Sequence, residues 1–231
     1  MLDRLINSEL IGLKALAIVI WLAFVGGGAG IAHRFSPKGS ELVRKVVHIG
    51  AGHVMLLAWW LRIPASVCIG FSVFFTIATI VSYYIPVLPT INNINRKSWG
   101  TCFYAMSIGI LAAIFWPLNL PQYGVLGILV MAWGDGLAGL IGSQFGQRRY
   151  TIAGSTKSWE GTATMLLAST IVVWLILGMT QGWSWSVGLI AMVVGLVAAG
   201  LEVFAKLGVD NLTVPIGSAL LAYSLVHIMA V

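Results

Sequence analysis

Between residues 133 and 162 the chain reads WGDGLAGLIGSQFGQRRYTIAGSTKSWEGT. This stretch holds two acids, Asp135 and Glu160, three bases, Arg148, Arg149 and Lys157, and a run of glycines. Asp135 lies deep in an apolar run, where an unpaired carboxylate costs roughly 3 kcal/mol on insertion scales. Gly134 and Gly136 flank it and let other groups come close to the backbone. Glu160 opens the next apolar run, and the bases form a short loop between the two. Acids from different segments, on one face with many bases, suit a Mg²⁺ ion held between carboxylates and a nucleotide triphosphate. The chemistry to expect is therefore that of a phosphate and metal site at one face of a membrane.

Three other segments concentrate the remaining unusual polar residues. ELVRKVVHIGAGH carries Glu41, Arg44, Lys45, His48 and His53. On a helix Arg44 and His48 share a face, with Glu41 one turn back. That face reads either as a phosphate-binding surface with His48 near the reaction, or as snorkelling anchors beside a packed histidine. NNINRKSWGT carries Asn92, Asn93, Asn95, Arg96, Lys97, Ser98 and Thr101. Its RKSWGT resembles TKSWEGT at 156–162, as if one device were used twice. Both sit where a helix begins, and helix starts favour anions. The plainer reading is interfacial anchors with Ser or Thr caps. The last segment, GLEVFAKLGVDNLTVPIG, holds Glu202, Lys206, Asp210 and Asn211. Glu202 can pair with Lys206 one turn later, and Asp210 and Asn211 can cap the following helix.

Neither HExxH nor GxxxxGK[ST] occurs, which excludes a zinc-protease or P-loop reading. The glycines at 134, 136, 139, 142 and 146 do not match a dinucleotide fingerprint following a strand.

The elements that position these residues are membrane helices. The chain has 231 residues, 59% hydrophobic and 9% charged, whereas soluble domains carry about 25% charged residues. The expected fold class is an all-α polytopic membrane protein, one domain over 1–231, with about eight transmembrane helices. The spans fall near 10–32, 46–61, 65–85, 101–117, 123–142, 161–180, 187–205 and 212–230. With alternating spans, the loops at 33–45, 86–100, 143–160 and 206–211 share one side. They hold 10 of the 13 basic residues, leaving only Arg4, Lys14 and Arg62 elsewhere. The positive-inside rule makes that side, and the site, cytoplasmic, with both termini outside. The membrane is the plasma membrane or another internal one. The opposite loops carry Pro, Gly and Trp, and Trp59, Trp60, Trp116, Trp183 and Trp185 fall where an outer aromatic belt belongs. The net charge of +6 reports topology and contact with an anionic lipid bilayer; no aromatic-basic stripe suggests nucleic acid. Cys68 and Cys102 read as small core residues. The first apolar run is too long for a cleaved signal. The glycine cluster at 26–30 is expected to admit close helix packing, and small residues in spans 1 and 7 can pack helices between protomers of a homo-oligomer.

Taken together, these residues resemble the CTP-dependent lipid-alcohol kinases: phytol kinase, dolichol kinase and the CTP-using diacylglycerol kinase. The resemblance runs over nearly the whole chain and is closest to the phytol and polyprenol kinase branch. It is carried by Arg44-Lys45-x-x-His48, Arg96-x-Ser98-x-Gly100-Thr101 and Gly134-Asp135-Gly136 with Ala138 and Gly142. Phe145-Gly146, Lys157-Ser158-Trp159-Glu160-Gly161-Thr162 and Asp210-Asn211-Leu212-Thr213-Val214-Pro215 complete it.

The resemblance implies transfer of the γ-phosphoryl group of CTP to the hydroxyl of a long isoprenoid alcohol, with Mg²⁺. Such transfer needs mainly positioning and charge neutralisation. Asp135, Glu160 and Asp210 are then expected to hold Mg²⁺ or position the hydroxyl, one of them as base. Lys157, Arg148, Arg96, Lys97, Arg44 and Lys45 would neutralise the triphosphate, with Ser158, Gly134, Gly136 and Asn211 beside it. His48 is a further acid, base or phosphate ligand. Two rivals stand beside this reading. A cytidylyltransferase would make a CDP-lipid, but VDNLTVPIG lacks the Lys-Asp and His-Gly-Gly of that family's late signature. An ion-coupled transporter would place Asp135 and Glu202 near the midplane.

Overall fold

The computed structural model describes residues 2–35, 41–84, 99–152 and 154–229. Among these residues there are eight helices and one two-stranded hairpin. The helices are α1 (Leu2–Phe35), α2 (Glu41–Trp60), α3 (Ala65–Tyr84), α4 (Gly100–Phe115), α5 (Pro121–Phe145), α6 (Trp159–Gln181), α7 (Trp185–Phe204) and α8 (Asp210–Ile228). The fold is that of an all-α polytopic membrane protein. Seven helices are long and apolar enough to cross a bilayer. The eighth, α4, has 16 residues, about 24 Å at 1.5 Å per residue, against a hydrocarbon core of about 30 Å. It is the short member of the expected eight and packs against α3, α5 and α8.

α5 is the axis of the bundle and packs against α2, α4, α6 and α8. Of its apolar stretch 72% is buried, against 6% in α1. Val125, Leu126, Ile128, Val130, Met131 and Ala132 have no exposure at all. A helix apolar on every side, opened by Pro121 at its first turn, belongs in such a place. Its glycines set the spacing of the neighbours. A Cβ on Gly127 would lie 2.2 Å from the Pro215 carbonyl oxygen of α8. On Gly134 it would meet Met165 Sδ of α6 at 2.5 Å, and on Gly136 it would meet Ile49 Cγ1 of α2 at 2.6 Å. The glycine run is thus the contact surface of a central helix with three partners, as expected where small residues let membrane helices approach.

The glycines of α1 behave differently. At Gly26, Gly27, Gly28 and Gly30 an added Cβ meets nothing within 4 Å. The close packing expected there is absent from the described residues, because α2 meets α1 elsewhere: a Cβ on Gly50 would strike Val25.

The stretch 143–160, expected to hold a short basic loop, contains the hairpin. Strand β1 (Arg149–Ile152) pairs antiparallel with β2 (Ser155–Ser158), with Arg149 opposite Ser158 and Tyr150 opposite Lys157. The tip carries Gly154 at φ +80°, a region that favours glycine. Ser158 then caps α6 by accepting from Gly161 N at 3.1 Å. At the opposite end, Trp116 donates to the Ile63 carbonyl at 2.9 Å, and Trp60, Trp183 and Trp185 are exposed where an aromatic belt was expected. Both cysteines are buried and unpaired.

Gly127→Ala should destabilise the protein by about 1–3 kcal/mol through overpacking against backbone, whereas Gly27→Ala should be neutral or slightly stabilising. Thermal melting of both variants in detergent checks this; equal melting temperatures would contradict the central role of α5.

Candidate functional site

The polar residues gather where the start of α2, the C-terminal half of α5, the hairpin, the end of α7 and the start of α8 meet. Lys45, on the first turns of α2, is 1% exposed. Its Nζ donates to Asp135 Oδ2 at 2.6 Å and to the Asp135 carbonyl oxygen at 2.8 Å. Gly139 makes room for it, since a Cβ there would sit 2.4 Å from Lys45 Cε. One turn on, His48 Nε2 lies 3.5 Å from the same Oδ2 and 3.4 Å from the Met131 carbonyl. Tyr104 of α4 stacks on the His48 ring at 4.7 Å and donates to the His48 carbonyl at 3.2 Å. The sequence reading missed Tyr104; its only signal is a polar tip inside an apolar run.

A second pair lies beside the first. Lys157 of β2 donates to both the carboxylate and the carbonyl of Glu202. The expected local pair between Glu202 and Lys206 is therefore replaced by a long-range one. The hairpin delivers Lys157 to the last turn of α7, while Lys206, past the helix end, lies toward Gly154.

Asp210 opens α8, and its Oδ1 accepts from Asn211 N at 3.1 Å and Asn211 Nδ2 at 3.2 Å. Neither residue caps the helix as expected; Val209 occupies the cap position without a side-chain bond. Among the described residues no lysine or arginine lies within ion-pair distance of Asp210. Asp210 is nonetheless within electrostatic reach of Asp135, Lys157 and Lys45, and Glu202 within reach of Asp135 and Asp210. The two ion pairs and Asp210 thus form one charged cluster.

The other predicted residues divide. Arg44 is exposed and bonded to Glu41, with no bond to His48. Glu160 accepts from Arg148 N at 3.3 Å through Oε1, and its Oε2 is buried without a described partner. With Trp159 N donating to the Arg148 carbonyl at 3.0 Å, Glu160 fastens the foot of the hairpin. The Arg148 and Arg149 side chains are exposed. Gly134 and Gly136, expected beside phosphate, face Met165 and Ile49, and the Ser158 hydroxyl serves as the cap of α6. Arg96, Lys97 and Ser98 lie outside the described residues; of the first device Trp99, whose backbone N–H donates to the Leu207 carbonyl at 3.1 Å, is described, with Gly100 and Thr101, which open α4. Glu202 sits in the last turn of α7, at the end of a span, where the transporter reading requires the midplane.

Comparison with known proteins agrees with this chemistry. The chain is 46% identical over 218 residues to the phytol kinase of Synechocystis sp., covering 90% of this chain and 94% of that one. The chain belongs to the phytol kinase family. Plant members are more distant. Phytol kinase 1, chloroplastic, of Arabidopsis thaliana is 26% identical over 79% of this chain and 66% of its own length. A probable chloroplastic phytol kinase of Triticum aestivum is 23% identical over 80% and 67%. No family model and no solved structure matches the chain.

If Glu202 is held by Lys157, Lys157→Met should destabilise this family member by about 3–5 kcal/mol, because it strands a buried carboxylate. Lys206→Ala should stay within about 0.5 kcal/mol of the parent. Melting curves in detergent test the pair; the opposite ranking would restore the local Glu202–Lys206 pairing.

Proposed function

We propose that the chain phosphorylates a membrane-embedded isoprenoid alcohol, phytol or a related prenol, using CTP and Mg²⁺. The observation that carries this reading is the 46% identity to a phytol kinase over 90% of the chain. The site supports it chemically. An alcohol whose tail lies in lipid presents its hydroxyl at the interface, and the charged cluster lies at one end of the helical bundle. CTP as donor rests on the motif resemblance.

The donor set fits Mg²⁺ in its usual kinase arrangement, one or two carboxylates plus substrate phosphates. It does not fit an all-protein cage: among the described residues no three His, Cys, Asp or Glu side chains group closely enough. Asp135 would hold the ion through Oδ1, the oxygen that Lys45 does not use. Glu160, also expected as a ligand, accepts from the Arg148 N–H through Oε1 and would offer Oε2, which has no partner among the described residues. Bound Mg²⁺ supplies neutralisation of charge on the transferring phosphoryl group.

The chain's own groups take the remaining roles. Lys45 and His48 fix the Asp135 carboxylate. Arg148 and Arg149 on the hairpin attract the triphosphate, with Arg96 and Lys97 as further candidates. Asp210, whose carboxylate meets no lysine or arginine at ion-pair distance among the described residues, takes the proton of the alcohol hydroxyl.

Purified protein with Mg²⁺, γ-labelled CTP and a panel of prenols should place label on one lipid monophosphate and release CDP. Pyrophosphate release with a CDP-lipid would establish the cytidylyltransferase instead. Asp210→Asn should lower kcat by roughly 10²–10⁴, the range for a general base, with little change in KM for CTP. A variant with parental kcat would remove Asp210 as the base.

A further inference from the structure

α7 and α8 form an open groove of about 450 Å³ on the surface of the bundle, lined by residues from Val197 to Ala205 on one side and by Val209 and Thr213 on the other. Its wall is apolar over nearly its whole extent, and Phe204, Val197 and Val209 are exposed on the outer surface of the bundle. Gly200 lines it, and among the described residues nothing lies within 4 Å of where a Cβ there would stand, so a larger side chain would project into the groove. Val209 in its wall directly precedes Asp210, and Glu202, held by Lys157, lies between Leu201 and Phe204 on α7.

We infer that this groove holds the isoprenoid chain of the alcohol, with the hydroxyl at Asp210 and the tail running along α7 past Gly200 toward Val197. The inference rests on the kinase reading and names the residues that select chain length. Val197 and Phe204 of its wall are exposed on the outside of the bundle, where a lipid-dissolved substrate arrives, and Val209 and Thr213 of the same wall stand in the chain on either side of Asp210, the carboxylate assigned to the hydroxyl proton. A bulk lipid acyl chain has no hydroxyl to place there.

Two measurements test it. In mixed micelles, Gly200→Leu should raise KM for phytol about tenfold, the loss of roughly two buried methylenes' contact, with kcat nearly unchanged and KM for the shorter geraniol unaffected. Gly188→Leu is the control, since Gly188 lies on the same helix in open space outside the groove. Gly200→Leu with parental kinetics on phytol overturns the proposal, whereas a parent protein that phosphorylates no prenol overturns the kinase reading. Independently of turnover, a diazirine analogue of phytol should label α7 and α8 peptides between Val197 and Thr213, and excess phytol should compete. Labelling elsewhere, or labelling competed only by phospholipid, overturns the groove assignment.

Discussion

The ion pair between Lys45 and Asp135 is the interaction on which the arrangement depends. Both charges lie within helices long enough to cross a membrane, and the lysine is 1% exposed. Taking either charge from water alone costs several kcal/mol, and pairing with added hydrogen bonds recovers much of that. Lys45 supplies the added bond by donating to the Asp135 carbonyl as well as its carboxylate. The pair also sets direction, since it joins the polar end of α2 to the middle of α5 and brings His48 to the same carboxylate.

That pair exists because the helices approach closely. Gly136 and Gly139 let α2 lie against α5, Gly134 and Gly142 do so for α6, and Gly127 for α8. Packing of small residues, the main force between membrane helices, therefore places the charges. The hairpin repeats the principle on the other side. Glu160 and Ser158 secure its foot, and strand pairing carries Lys157 to Glu202. Bonded acids and bases then surround Asp210, whose carboxylate is bonded only to its neighbour Asn211 among the described residues. An acid in that position is suited to exchanging a proton.

Much of this was legible in the residues. Hydropathy gave the helices, including the short one at 100–115, because continuous apolar runs leave no other solution in lipid. Asp135 stood out because a carboxylate in such a run needs a partner. The identity of the partner was not legible: Lys45 lies 90 positions away, and pairing at that separation depends on which glycines face which helix. The same reason hid Lys157 from Glu202, for which the nearby Lys206 was the natural local choice. The hairpin was hidden by its brevity: each strand has only four residues, and although Tyr150, Thr151 and Ile152 favour strands, the polar STKS that pairs with them reads as loop until the cross-strand partner is known. The glycines beside Asp135 were expected to let phosphate approach the backbone, a place that the family resemblance implied, yet their neighbours are side chains of α2 and α6.

The central claim is that Lys45 and Asp135 act as one unit, and a double-mutant cycle tests it most directly. Lys45→Met, Asp135→Leu and the double variant would be melted in detergent and assayed with CTP and phytol. Each single variant should lose about 3–5 kcal/mol by stranding a buried charge. The double variant should be no less stable than either single variant, a coupling of at least about 3 kcal/mol, while staying inactive. Additive losses of stability, or an active Asp135→Leu variant, would contradict the account.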